Sequence, residues 1–102
     1  MGERTKVAIV EAGKGGTEVL KTLSRYDYIE VILVVDINPK TEGMELAKTL
    51  GIPTTTELND LLLISDIYLV INTIGKPYVG KLLRELLPIG VKIVDGTSTK
   101  LF

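Results

Sequence analysis

The apolar positions of this chain change their spacing several times from one end to the other. Residues 6–10 (KVAIV) form a short, nearly unbroken apolar run, and beyond a cluster of glycines Val19, Leu20, Leu23 and Tyr26 return at the spacing of one helix face. That pattern predicts a strand, a turn and a helix. Residues 30–36 (EVILVVD) are rich in β-branched side chains and apolar almost throughout, as expected of a strand covered on both faces. Asn38-Pro39 interrupts the chain. Residues 40–50 then place Met44, Ala47 and Leu50 on one helical face, with Gly51 as the stop. Residues 52–55 predict a short third strand. Thr55 or Thr56 caps a brief helix carrying Leu58, Leu61 and Leu62, and residues 67–72 (IYLVIN) supply a fourth buried strand. Gly75 and Pro77 open the last helix, where Val79, Leu82, Leu83 and Leu86 fit the i, i+3, i+4, i+7 template. Pro88 and Gly90 end it before a final strand over residues 91–95 (VKIVD).

Strands that alternate with helices imply a parallel sheet joined by right-handed crossovers. The predicted fold class is therefore α/β, a doubly wound sheet of about five strands in the order 3-2-1-4-5 with helices on both faces. Residues 1–102 form one domain. Val7, Ile9, Val31, Leu33, Val35, Leu69, Ile71, Ile93 and Val94 are expected among its buried residues. In such sheets ligands sit beyond the carboxyl ends of the first and fourth strands, where the winding reverses.

Composition narrows the function classes. Twelve Lys and Arg against thirteen Asp and Glu give a net charge of -1, which offers no polybasic surface to nucleic acid or to an anionic membrane. The sequence has no cysteine and no histidine, which removes thiol chemistry and the commonest general base and metal ligand. Its first residues, MGERTKVAIV, lack the apolar core of a signal peptide, so a cytoplasmic location is the expectation.

The candidate chemistry lies in VAIVEAGKGGTEVL, where a strand runs into a glycine-rich turn that opens a helix. A side chain at Gly13 would fill the space a pyrophosphate needs, and Gly16 allows the helix to pack tightly against the sheet. Lys14, inside the turn with Gly15, is placed to meet a phosphate. Asp36 lies twenty residues after Gly16 at the end of the second strand, where an acid bonds ribose hydroxyls. Each position also has a plain structural reading. The glycines serve backbone shape alone, Asp36 forms a turn with Asn38, and Lys40 is a solvated lysine.

VAIVEAGKGG followed by VILVVDINP resembles the N-terminal half of NAD-dependent enzymes of the homoserine and aspartate dehydrogenase kind. It also resembles small Rossmann NAD-binding-like domains at the front of bacterial signalling proteins such as sensor kinases. The resemblance covers nearly the whole chain and implies a cofactor site formed by Glu11, Ala12, Gly13, Lys14, Gly15 and Gly16 in the turn. Asp36 and Ile37 follow the second strand, and Asn72, Thr73 and Gly75 follow the fourth on the ribose or nicotinamide side. For that last group the alternative is a capped turn before Pro77. The implied cofactor is NAD rather than NADP, because the Asp36 carboxylate repels a 2′-phosphate. Coenzyme A, another adenine nucleotide, is left open.

Glu11 departs from the family pattern, which has glycine there. Two unit charges about 4 Å apart interact by roughly 1 kcal/mol in water and about 4 kcal/mol at an effective dielectric of 20, so a carboxylate facing a diphosphate weakens binding severely. The alternatives are that Glu11 fills the anion site itself, stabilised by the helix amino end, or that it turns to solvent.

There is no GxxxxGK[ST] loop, no nucleophile with a histidine partner and no metal-ligand cluster, and the sequence stops seven residues after Asp95. The sequence is read as an NAD(H)-binding or sensing module without its own catalytic domain, of the kind built into larger signalling proteins. The alternatives are a degenerate interaction or dimerisation module on the same frame, and the cofactor half of a truncated NAD-dependent dehydrogenase. Open sheet edges at the third and fifth strands and the tail 97–102 predict a homodimer.

Overall fold

The computed structural model describes residues 4–11, 13–73 and 77–95. Among the described residues five strands, β1 (Thr5–Val10), β2 (Ile29–Val35), β3 (Thr54–Thr55), β4 (Leu69–Asn72) and β5 (Lys92–Asp95), alternate with three helices. The helices are α1 (Lys14–Leu23), α2 (Glu42–Thr49) and α3 (Pro77–Leu86), and a 3₁₀ turn spans Leu58–Leu63. All strand pairs are parallel, and the spatial order is β3-β2-β1-β4-β5. The predicted doubly wound α/β sheet is therefore the fold of the chain.

Alternation along the strands sorts the core into two layers. Val7 and Ile9 of β1 face one side and pack with Val19, Leu20 and Leu23 of α1 and with Met44 and Ala47 of α2. Ala8 and Val10 face the other side, against Leu61, Val79, Leu83 and Leu87. One irregularity interrupts this order. Val7 pairs with Val31, whereas Ala8 pairs with Leu33, so Ile32 is an extra residue in β2 and packs against the same layer as Leu33. Beyond it the register is regular up to Val10 and Val35, which brings the two strand ends level.

Several positions depart from the periodic reading for identifiable reasons. Tyr26 is exposed because α1 ends at Leu23, with Ser24 as its cap, so Tyr26 no longer sits on the helix. Leu50, the residue that caps α2, is exposed for the same reason. In the 3₁₀ turn side chains eclipse every three residues, so Leu61 is buried while Leu62 is exposed. On α3, Leu82 is exposed, Leu86 is half-buried, and Leu87, just beyond the helix, completes the buried face with Val79 and Leu83. Leu69 begins β4, and Ile93 and Val94 lie on the outer strand β5; all three are half-buried rather than buried. The first flanking residue of the 3₁₀ turn is Glu57, and Thr55 supports it by accepting the Glu57 N–H at 3.1 Å.

Gly51 ends α2 with φ of 77°, and an added Cβ there would meet nothing within 4 Å. Gly51→Ala therefore adds no clash and isolates the cost of a left-handed residue. Urea unfolding should show a loss of about 1 kcal/mol. A variant as stable as wild type would mean that the turn relaxes out of this conformation. Among the described residues no helix is long and apolar enough to cross a membrane.

Candidate functional site

The strand ends form one row. Thr55, Val35, Val10, Asn72 and Asp95 are successive partners across β3, β2, β1, β4 and β5. The residues that follow the three central strands, Asp36, Glu11 and Thr73, therefore stand together on the carboxyl rim. Between β1 and β4 the chain's winding changes direction, which places Glu11 and Thr73 on the two sides of the crevice.

Glu11 has φ of 81°, a left-handed conformation that glycine adopts freely and that costs a residue with a Cβ about 1 kcal/mol or more. Its backbone is held from both neighbouring strands. The Glu11 N–H donates to the Val35 carbonyl, and the Thr73 hydroxyl lies 2.9 Å from the Glu11 carbonyl oxygen. Thr73 is itself anchored to β1 by its N–H, which donates to the Val10 carbonyl at 3.1 Å.

The Glu11 side chain folds back toward α1. Its Oε1 accepts the Gly13 N–H at 3.3 Å and lies 3.2 Å from the Thr73 hydroxyl. A Cβ built on Gly13 would meet the two carboxylate oxygens at 3.3 and 3.4 Å, so the space beside that glycine is filled by the carboxylate. Of the three alternatives raised by the sequence, the geometry is that of a carboxylate seated at the amino end of α1.

Gly16 has the tightest surroundings on the rim. A Cβ there would lie 2.0 Å from the Glu11 carbonyl oxygen and 3.0 Å from its carbonyl carbon, which no side chain tolerates. The absence of a side chain lets α1 start directly against the end of β1. Gly15 is exposed, and its added Cβ would make only ordinary contact with Thr73 at 3.8 Å. Ala12, Gly75 and the side chain of Lys14 lie outside the described residues, as does the tail 97–102.

On the β2 side Asp36 is only 7% exposed. Its Oδ1 accepts the Asn38 N–H at 2.9 Å, and the Asn38 side chain in turn accepts the Lys40 N–H at 2.9 Å. The turn-forming role of Asp36 is therefore present in the fold. Ile37 is 88% exposed, Asn72 is buried at the end of β4, and Lys40 is exposed. Beside Asp36, whose N–H donates to the Thr55 carbonyl at 3.1 Å, the Thr55 hydroxyl donates to Asp60. The sequence reading missed this polar pair. Its only signal was a polar end on a strand adjacent to the second.

A parallel sheet in this order, with a glycine turn leading from its first strand into a helix at the switch point, defines an α/β domain of the Rossmann type. In sequence the chain is similar to acetaldehyde dehydrogenases. It is 39% identical over 90 residues to that of Thermus thermophilus, covering 83% of this chain and 29% of the relative. It is 31% identical over 101 residues to that of Stutzerimonas stutzeri, covering 95% of this chain and 33% of the relative. The chain thus spans about a fifth to a third of the length of the curated relatives it matches. Among solved structures it resembles GenD2 from gentamicin A biosynthesis in complex with NAD. That match has a TM-score of 0.67 and 25% identity, and covers 82% of this chain and 25% of GenD2. A structure from Desulfitobacterium hafniense shares the fold at a TM-score of 0.75 and 14% identity, over 93% of this chain and 27% of that one. No family model matches the chain. The finer resemblance to homoserine and aspartate dehydrogenases and to sensor-kinase domains rests on VAIVEAGKGG and VILVVDINP alone.

Proposed function

We propose that this chain is the NAD(H)-binding part of an oxidoreductase of the acetaldehyde dehydrogenase kind, and that holding the cofactor is its share of the reaction. The observation that carries this reading is the close seating of α1. Gly16 lets the helix begin against β1, and that presents the Gly13 N–H and the positive end of the helix dipole to the crevice. The similarity to the Thermus enzyme and the NAD found in GenD2 support the same reading.

The residues present match a dinucleotide on one side of the rim and meet it with a conflict on the other. A buried carboxylate at the end of β2 suits the adenosine ribose, and Asp36 would accept its hydroxyls. The pyrophosphate seat beside Gly13 holds the Glu11 carboxylate, so the phosphates would fit only with that side chain turned away. NAD would supply the hydride chemistry, while Asp36, Gly13 and Gly16 bind and orient it. A signalling context and a homodimer have no supporting observation on this rim and are not part of the proposal.

Titration calorimetry with NAD, NADH, NADP and coenzyme A tests the reading. NAD and NADH should bind at least tenfold more tightly than NADP, because a 2′-phosphate would face Asp36. A preference for NADP would overturn the ribose assignment, and binding of coenzyme A alone would replace the ligand. No heat with any of the four, from wild type or from a variant lacking the Glu11 carboxylate, would favour the interaction module instead.

A further inference from the structure

We infer that the crevice contains an autoinhibitory contact: the Glu11 carboxylate, held between the Gly13 N–H and the Thr73 hydroxyl, closes the pyrophosphate seat and must swing out before a dinucleotide enters. This rests on the NAD-binding reading above. The two partners of Oε1 come from different elements, the start of α1 and the residue after β4, so the carboxylate links the turn after β1 to the end of β4. The Gly13 N–H that the carboxylate engages is a donor that a phosphate oxygen would need at this turn. Two anions cannot share it without strong repulsion.

The contact is built to be reversible. At 3.3 and 3.2 Å its two contacts are longer than the roughly 2.7–2.9 Å of strong charge-assisted bonds, so the closed form is favoured only modestly and can be opened by a ligand. The side chain leaves by rotation about its own bonds, with no change of the backbone. The Thr73 hydroxyl carries one proton and has three acceptors in reach, the Val10 and Glu11 carbonyls at 3.2 and 2.9 Å as well as the carboxylate. When the carboxylate departs, the hydroxyl's one proton passes to a backbone carbonyl, so the hydroxyl is not left without an acceptor. Open and closed forms thus differ by one side-chain rotation, and apparent affinity is the intrinsic affinity scaled by the open fraction.

Thr73→Val separates this contact from simple charge repulsion, since it removes the hydroxyl and leaves the Glu11 charge in place. NAD titration should show affinity raised threefold or more in Thr73→Val, unchanged in Thr73→Ser, and no further gain from Thr73→Val once Glu11→Ala is present. Without NAD, the urea midpoints of Glu11→Ala, Thr73→Val and the double variant should be non-additive, because both single changes break the same contact. Alanine is used because it keeps the left-handed cost at position 11. If Glu11→Ala raises affinity while Thr73→Val leaves it unchanged or lower, charge alone is responsible and the contact is refuted although NAD binding stands. If the midpoints are additive, the contact is absent from the free protein. Failure of every variant to bind NAD would overturn the inference together with the reading beneath it.

Discussion

Glu11→Gly should raise NAD affinity tenfold or more while leaving the unfolding free energy within about 1 kcal/mol of wild type. The affinity gain comes from removing a carboxylate that now lies against Gly13, where the phosphates would sit. Coulomb repulsion at that range is about 1 kcal/mol in water and about 4 kcal/mol at an effective dielectric of 20, and each 1.4 kcal/mol or so is a factor of ten in binding. Stability changes little because two effects oppose each other. Glycine relieves the left-handed strain at φ of 81°, about 1 kcal/mol, and the helix loses a carboxylate at its amino end, about 0.3–1 kcal/mol. Calorimetry and urea unfolding read the two quantities separately. Asp36→Ala in the Glu11→Gly background should then reverse most of the gain, since hydrogen bonds to a charged acceptor are worth about 1.5–3 kcal/mol. Micromolar NAD binding by wild type would show that the carboxylate vacates its seat at almost no cost. A folded Glu11→Gly protein that still fails to bind would place the defect elsewhere on the rim.

Gly16→Ala should cost about 3 kcal/mol of stability and reduce NAD affinity at the same time. The Cβ would sit 2.0 Å from the carbonyl oxygen of Glu11, whose backbone is held by the donation of its N–H to the Val35 carbonyl, and no rotamer relieves a clash between backbone and Cβ. The start of α1 must therefore move away from β1, taking the Gly13 N–H out of line with the crevice. The urea midpoint and the NAD titration should both fall. The contrast with Gly51→Ala, which meets no neighbour, separates steric from conformational cost. A Gly16→Ala protein within about 0.5 kcal/mol of wild type would mean that α1 shifts freely, and the close seating would then have no binding consequence.

Strand order was readable because each apolar run is bounded by glycine, proline or charge, and alternation of strands with helices admits few topologies. The positions of Gly13, Gly16 and Asp36 on one rim followed from that topology. Helix ends were harder. Tyr26 and Leu50 continued an apolar period past the last helical residue, and only local hydrogen bonding at Ser24 and Leu50 fixes where the period stops. Leu62 was misplaced because the sequence does not distinguish a 3₁₀ turn from an α-helix over six residues. For Glu11 the sequence revealed the charge but not its direction. That direction depends on the Thr73 hydroxyl, which arrives from a strand far away in the chain. The pairing of Thr55 with Asp60, only five residues apart, went unseen for a different reason, since a two-residue strand carries almost no periodic signal.

The place of β1 in the sheet also bears on how the molecule assembles. β1 is central, flanked by β2 and β4, yet the residues that cover its second edge are more than half the chain away, with Val7 paired to Leu69 and Val10 to Asn72. A β1-α1-β2 unit can form early from nearby sequence. Its open side must then wait for β4, so closure of that distant pair sets a slow, entropy-limited step in refolding. Until that step is complete, an apolar strand edge is exposed to other chains, and misassembly should grow with protein concentration during refolding even though the finished sheet buries that edge completely.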